Sequence, residues 1–390
     1  MPEKERKKGI IWKLQSDTIR YDCRFYTGYK PCGKAEFCMD CEEYEPVRTK
    51  ILIIKLAALG DVLRTTSILP GLKKRFPQSH ITWATRENAV PLLENNPLID
   101  SLHVMNAEGI LTVAGKEYDL AINFEKEDSA LSLFKKINAA EKRGFEFSSS
   151  NTLSVANNGS LYALQLGLSD ELKFHLNKKT YPEIIYEMAE IPYEGEEYVL
   201  ELSGRSRHFR DEILKRSGIN PDKLKIGLNT GCGGVFQTKR WTVRGFAELT
   251  DILNREHSVE ILLLGGPRET EFNRRIIEEV ETSIHDMGCN NHLEDFLGIM
   301  DLCDVVVSSD SLAAHIAIAL KKDLVVFFGP TCPQEVDLFD RGGKIVMDCV
   351  CAPCYRKYCD KEKSCLENMP ASRVYEEIMR IMEKIRSRIE

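Results

Sequence analysis

Residues 51–77 read ILIIKLAALGDVLRTTSILPGLKKRFP and carry the clearest fold signal in the chain. Four apolar residues, Ile51–Ile54, predict a short buried strand. From Val62 onward the apolar residues recur at helical spacing, and the basic run Lys73–Arg75 suits a helix C-terminus. A strand followed by a helix predicts an α/β fold, in which ligands bind at the carboxyl ends of the strands. Asp61 lies at that junction and is a candidate reactive group, although an Asp there is most often a helix cap.

The composition describes a globular protein large enough for two domains. The chain has 390 residues, of which 43% are hydrophobic and 29% charged. Its 53 basic and 60 acidic residues give a net charge of -7, which argues against a general nucleic-acid binder. We find no apolar run of membrane-spanning length and no signal peptide, so we expect a cytoplasmic protein. The basic opening, MPEKERKKGIIWKL, would suit peripheral contact with an anionic membrane, although a solvated terminus is the commoner role of such a segment.

The alternation of strands and helices restarts in the second half of the chain. Buried-strand patterns recur at residues 225–229, 259–264, 304–307 and 324–328, with helical patterns between them. Alternating strands and helices predict parallel sheets, and two such halves leave a ligand-binding cleft between them. We therefore divide the chain into a cysteine-rich extension (1–50), a first domain (51–203), a second domain (204–368) and a C-terminal helix (369–390). The apolar stripe of that helix is expected to pack back on the first domain.

Three loops of the second half follow predicted strands and contain groups that suit a nucleotide. In TGCGGVFQTKRW, residues 230–241, backbone N–H groups, the Thr230 hydroxyl and Lys239 would together hold a diphosphate. The alternative is a surface loop whose basic residues are there by chance. In GGPRE, Glu269 would bind a ribose diol, or it is an ordinary acidic residue of a first helical turn.

The third loop, SSDSLAAH, covers residues 308–315 and leads directly into a helix. A helix N-terminus attracts an anion, and Asp310 and Ser311 are also good caps. His315 follows Ser311 by one turn and lies on the same face. No Asp-x-Asp pair occurs in the chain, which argues against a magnesium-bridged diphosphate and leaves Lys, Arg and helix termini as the cations.

The thirteen cysteines include two clusters. Without secretion, clustered cysteines indicate metal or redox sites rather than disulfides. A C-x2-C pair with two further thiolates can hold a tetrahedral ion, and an iron–sulfur cluster needs the same four ligands. The predicted metal ligands are Cys23, Cys32, Cys38 and Cys41 near the N-terminus, and Cys351, Cys354, Cys359 and Cys365 near the C-terminus.

The order of these motifs resembles glycosyltransferase family 9, whose best-known members are ADP-heptose:lipopolysaccharide heptosyltransferases. The resemblance runs from about Ile51 to the C-terminus and includes the strand–loop–Gly-Asp–helix unit, the TKRW loop, GGPRE, SSDSLAAH and VVFFGPT. It implies a GT-B fold, with two Rossmann-like domains facing each other across a cleft. It also implies inverting, metal-independent transfer from a nucleotide-diphosphate sugar, such as ADP-heptose, to a cell-envelope glycan or glycolipid.

The resemblance also implies a role for each site residue. Asp61 corresponds to the catalytic base of the family. The implied donor-binding residues are Thr230, Gly231, Lys239, Glu269, Asp310, Ser311, Leu312 and His315, although the family commonly has glycine at the position of Leu312. The C-terminal cysteines resemble a cluster found in many members, whereas the N-terminal segment falls outside the family pattern.

Two functions of different classes follow from these observations. The first is a glycosyltransferase that needs no cofactor for transfer, acts on a glycan such as the lipopolysaccharide core, and works at the inner membrane face. The second is a metal- or iron–sulfur-binding redox or interaction protein on a GT-B scaffold without transfer activity. A related enzyme such as a sugar-nucleotide epimerase is a third reading.

Overall fold

The computed structural model describes residues 19–35, 38 and 41–389 of the chain. Two six-stranded sheets form the centres of two α/β domains, which confirms the predicted fold class. In the strand Thr49–Ile54 (β1), alternate side chains are buried in two different apolar clusters. Ile51 and Ile53 belong to one cluster, and Leu52 and Ile54 belong to the other. A central strand buried on both faces explains why residues 51–54 are all apolar.

The first domain begins with β1. Its other elements are, in chain order, α1 (Leu59–Thr65), α2 (Ile68–Arg75), β2 (Ser79–Thr85), β3 (Ser101–Val104), α3 (Ala107–Ala114), β4 (Glu117–Asn123), α4 (Asp128–Lys136), β5 (Asn138–Phe147), β6 (Leu153–Val155), α5 (Leu161–Gln165) and α6 (Tyr181–Met188). The strand order is β3-β2-β1-β4-β5-β6, and only β6 runs antiparallel to its neighbour.

The second domain repeats this plan. Its elements are α7 (Gly204–Arg216), β7 (Leu224–Asn229), α8 (Val243–Glu256), β8 (Val259–Leu264), α9 (Thr270–Glu279), β9 (His285–Asp286), α10 (Leu293–Leu302), β10 (Val305–Ser309), α11 (Leu312–Ala319), β11 (Asp323–Phe328), β12 (Gly342–Val346) and α12 (Ala371–Ile389). All its strands are parallel, in the order β12-β11-β10-β7-β8-β9. The two candidate loops that follow β7 and β10, which are neighbours in this sheet, therefore emerge side by side at its carboxyl edge.

The C-terminal helix α12 packs on the second domain, so our prediction that it returns to the first domain is wrong. Val374, Ile378 and Ile381 are fully or almost fully buried in the same apolar cluster as residues of α8 and β11. An amphipathic stripe shows that one face of a helix is covered, but the stripe does not identify the covering surface.

Two local features shape the connections between elements. Residues 200–209, whose polar sequence suits a linker or a strand-to-helix join, lead into α7 at Gly204, where the Ser203 hydroxyl accepts a hydrogen bond from the Ser206 N–H (3.0 Å). Strand β5 continues through Gly144, which has a φ of 96°. A side chain there would lie 2.0 Å from the Asn123 carbonyl oxygen, so the close pairing with β4 requires glycine.

In the part of the chain that the structure describes, no helix is both long and apolar enough to cross a membrane. The basic opening that would suit a membrane surface lies outside the described residues.

Candidate active site

A cavity of about 900 Å³ lies between the two domains, at the carboxyl ends of their strands. Residues from both domains line it, and they include nearly all the side chains predicted to bind the donor or act as the base. The predicted residues in its walls are Asp61, Gly231, Lys239, Glu269, Asp310, Ser311, Leu312 and His315. The fold therefore brings one carboxylate of the first domain together with the three loops of the second.

Asp61 is the third residue of α1 and forms an ion pair with Arg64, with 2.9 Å between Oδ1 and Nη2. Ala58 occupies the N-cap position, so Asp61 is not the N-cap residue itself, although its carboxylate accepts a hydrogen bond from the Ala58 backbone. Its close-packed surroundings oppose ionisation, but the charges of Arg64 and Lys55 hold the pKa of Asp61 below its ordinary value. Asp61 is therefore a carboxylate at neutral pH, the form that can accept a proton.

Arg64 is held on several sides. Its guanidinium lies 3.7 Å from the centre of the Tyr181 ring, and 3.7 Å separates it from the Glu335 carboxylate of the second domain. Arg64 therefore links the base to the opposite wall of the cleft. Sequence reasoning missed this residue, although its position three residues after Asp61 on a helix is a recognisable signal.

A buried ion pair holds the loop that leads to Asp61. Lys55 Nζ lies 3.0 Å from Glu125 Oε2, and the same oxygen accepts hydrogen bonds from the Leu56 and Ala57 N–H groups, both at 3.2 Å. Glu125 follows β4, the neighbour of β1 in the sheet, and its side chain is almost fully buried. The loop conformation therefore depends on a charged residue that no sequence motif singled out.

On the opposite wall, Lys239 meets Asp310. The Lys239 ammonium donates to the Asp310 carbonyl oxygen (2.6 Å) and lies 3.4 Å from its carboxylate. Burial opposes ionisation of Asp310, but Lys239 and other nearby charges keep its pKa below the ordinary value. The two loops after β7 and β10 thus place a cation and an anion together beside the N-terminus of α11.

His315 lies between the two walls. Its Nε2 is 3.8 Å from Asp310 Oδ1, and a side chain on Gly60 of α1 would come within 2.7 Å of the imidazole. Burial, with the charge of Arg64, lowers the pKa of His315 to about 4, so the ring is neutral at pH 7. Its buried Nδ1 has no hydrogen-bond partner within the protein.

Glu269 is buried at the end of the second loop. Its carboxylate lies 2.7 Å from the Arg240 guanidinium and accepts the Gly266 N–H at 3.1 Å. Arg240 belongs to the first loop, next to Lys239, so this pair connects two of the three predicted donor-binding loops.

Two of the predicted donor-site residues have mainly structural contacts. The Thr230 side chain is buried beneath the cavity wall, where its hydroxyl lies 2.5 Å from Asn273 Oδ1 and 3.0 Å from the Leu264 carbonyl oxygen, the two acceptors for its single proton. Ser311 is the N-cap residue of α11, and its hydroxyl bonds to that of Ser308 (3.0 Å). Thr230 can therefore contribute only through the backbone of its loop.

The far end of the cavity contains aromatic residues that the sequence did not reveal. Tyr355 stacks on Phe174 of the first domain, with 5.3 Å between ring centres, and meets Phe236 of the first donor loop edge-on. Lys173 lies 3.9 Å from the centre of the Tyr355 ring. Tyr355 follows Cys354, so the C-terminal cysteine segment reaches the cleft itself.

The predicted metal ligands are free cysteines. Within the described residues, no group of three or more His, Cys, Asp or Glu side chains is arranged to hold an ion, so the predicted zinc or iron–sulfur sites are not confirmed. In the C-terminal segment, burial raises the pKa of Cys365 to about 11, and the nearby Cys349 and Cys354 add to this effect.

Comparison with known proteins identifies the family. The model of glycosyltransferase family 9 (heptosyltransferase) matches residues 110–365. Lipooligosaccharide heptosyltransferase 2 of Campylobacter jejuni is 30% identical over 188 residues, which cover 45% of this chain and 58% of that protein. Lipopolysaccharide heptosyltransferase 1 of Campylobacter coli is 22% identical over 358 residues, which cover 86% of this chain and 98% of that protein.

The same fold occurs in the solved structure of Escherichia coli ADP-heptose LPS heptosyltransferase II. The TM-score is 0.64 at 18% identity, with 86% of this chain and 99% of that chain covered. Because the family model matches well over half of the chain, the protein belongs to glycosyltransferase family 9, as its sequence suggested, and is a glycosyltransferase with the GT-B fold.

Proposed function

We propose that the protein transfers a heptose or a related sugar from a nucleotide-diphosphate sugar, such as ADP-heptose, to a glycan of the lipopolysaccharide-core type. The relatives named above are heptosyltransferases of lipopolysaccharide or lipooligosaccharide, and one is described with ADP-heptose. An acceptor of this kind is a glycolipid, so the site of action would be the inner membrane face.

One observation supports this proposal above the others. Asp61 stands on the first-domain wall of a cavity whose opposite wall contains Lys239, Asp310 and Glu269. A donor held by the second domain would present its anomeric carbon towards the first domain. The base and the leaving group would then lie on opposite sides of the reacting carbon, as a single displacement requires.

The chemistry follows from this arrangement. Asp61 takes the proton of the acceptor hydroxyl, and the oxygen forms a bond to the anomeric carbon. The bond between that carbon and the diphosphate oxygen breaks, and the electron pair leaves with the diphosphate. Because attack comes from the side opposite the leaving group, the anomeric configuration is inverted.

The leaving group needs positive charge as it departs. On the second-domain wall, Lys239 and the N-terminus of α11 would supply it. With Lys239 in this role, transfer would not require a metal ion. The Lys239–Asp310 contact would loosen when the diphosphate takes the place of the carboxylate.

The reading as a redox or interaction protein without transfer has its support in the cysteine segments alone. The charged side chains on both walls of the cavity favour transfer over that reading. An epimerase needs no acceptor, so the epimerase reading leaves Asp61 without a role.

The proposal can be tested with a panel of nucleotide sugars, by measuring nucleoside diphosphate released with and without a lipopolysaccharide-core acceptor. We expect release with ADP-heptose that depends on the acceptor, and a product whose anomeric configuration is inverted in NMR spectra. Release that is equally fast without acceptor, or a product of retained configuration, would contradict the proposal.

A further inference from the structure

The segment before β1 folds without a core of its own. Among the described residues from 19 to 48, not one is buried. Its two ends pair with each other, since the Arg24 N–H donates to the Glu45 carbonyl (2.8 Å) and the Val47 N–H to that of Asp22 (2.7 Å). A short segment without buried apolar side chains needs another source of stability, such as a metal or a disulfide.

All four cysteines of this segment line one cavity. Its volume is about 270 Å³, and its walls contain Cys23, Cys32, Cys38 and Cys41. The four residues come from different parts of the segment, and the Cys41 N–H donates to the Cys38 carbonyl oxygen (3.3 Å). The segment thus places all four cysteines around one shared space.

The surroundings of the cavity favour thiolates. Arg20, Lys30 and Lys34 also line it, and positive charge stabilises ionised sulfur. Four thiolates around a divalent ion carry a net negative charge, which these cations would offset.

We propose that Cys23, Cys32, Cys38 and Cys41 together bind one thiophilic metal centre, which fixes the N-terminal segment on the first domain. The shared chemistry is four-thiolate ligation, as in a zinc ion or an iron–sulfur cluster. The side chains are not yet gathered around a point, so binding must draw them inwards. No described residue of the loop is buried, so packing does not oppose that movement.

The metal-bound segment would be held to the domain by Arg24. Its guanidinium pairs with Asp100 and donates to the Ser79 carbonyl (2.8 Å), and Lys73 of α2 binds the same Asp100 (2.7 Å). Arg24 follows Cys23 directly, so ligation of Cys23 would keep this anchor in place.

The test uses the full-length protein, purified without oxygen, and a variant with Cys38→Ser and Cys41→Ser. We expect the wild type to contain metal that this variant lacks, in an amount of one centre per chain. Zinc without sulfide would identify a single ion, whereas iron with acid-labile sulfide and a visible absorption band would identify a cluster. Equal metal content in the two proteins, or no metal in the wild type, would overturn the proposal.

A matched control has Cys351→Ser and Cys359→Ser, which alter two exposed thiols of the C-terminal segment. We expect the control to keep the N-terminal centre. If only the control lost its metal, the metal would belong to the C-terminal cysteines, and the proposal would be refuted. Thermal-shift binding of ADP checks that each variant remains folded. Trypsin gives a second readout: cleavage after Lys30 and Lys34 should accelerate only in the N-terminal variant.

Discussion

The interdomain cleft and the N-terminal segment achieve local order in opposite ways. In the cleft, Asp61, Lys239 and Glu269 each have an oppositely charged partner, and packed strands and helices surround them. In the N-terminal segment no described residue is buried, and four thiols surround a cavity. The cleft is therefore organised by the fold itself, whereas the segment lacks a packed core, and our proposal assigns its order to a metal centre.

The largest effect should come from removing the base on the first-domain wall. Asp61→Asn keeps the shape of the side chain but cannot accept the proton, so we expect kcat to fall by about 10²–10⁴-fold. Asp128→Asn, at an exposed Asp in the first turn of α4, is the matched control and should leave kcat unchanged. Turnover near the wild-type value in Asp61→Asn would exclude Asp61 as the base.

The second effect concerns the stability of the cleft. Glu125→Ala leaves the buried Lys55 ammonium without its partner and removes the acceptor of two loop N–H groups, so the free energy of unfolding should fall by about 3–5 kcal/mol. Glu127→Ala breaks the exposed pair with Arg86 and should cost at most about 1 kcal/mol. Denaturant unfolding measures both, and equal losses would show that the buried pair has no special role.

A smaller effect should appear in the pH dependence of stability. The pKa of His315 is about 4 in the folded protein and 6.5 ordinarily, so between these values the unfolded chain binds more protons. The free energy of unfolding should therefore rise with pH from about 4 to 6.5. Asp61 and Asp310 have pKa values below the ordinary 3.8, so their contribution to the pH dependence of stability falls at pH values below this range.

His315→Gln should flatten this rise, and His208→Gln, at an exposed histidine, should not. Thermal unfolding across the pH range measures the difference between the three proteins. An unchanged slope in His315→Gln would mean that the folded protein binds a proton at His315 as readily as the unfolded chain.

The sequence predicted the elements whose signal is local. The run Ile51–Ile54 identified a buried strand, and the loops around Asp61, Lys239 and Asp310 could each be placed at the carboxyl end of a predicted strand, where ligands bind. Residues whose role depends on long-range contacts escaped prediction. Glu125 and Tyr355 have no motif, and they reach the site only because the sheet and the cysteine segment bring them there.

The direction in which a side chain points could not be predicted from the sequence either. Thr230 lies in a predicted loop, but its hydroxyl faces Asn273 beneath that loop rather than the cavity. The helix α7 was missed because its sequence, GRSRHFRDEILKR, has few apolar residues and forms much of its contact with α10 through charged pairs such as Arg210–Asp301. For α12, the helix and its apolar stripe were predicted correctly, but the domain on which the stripe packs was not.

The central claim is a division of labour across the cleft, with donor binding on the second-domain wall and proton removal on the first. Calorimetric binding of ADP to the wild type, Lys239→Ala and Asp61→Asn tests it most directly. The account predicts that Lys239→Ala weakens binding about tenfold or more, since a charge-assisted contact contributes about 1.5–3 kcal/mol, and that Asp61→Asn binds ADP as the wild type does. Unchanged affinity in Lys239→Ala, or a comparable loss in Asp61→Asn, would contradict this division.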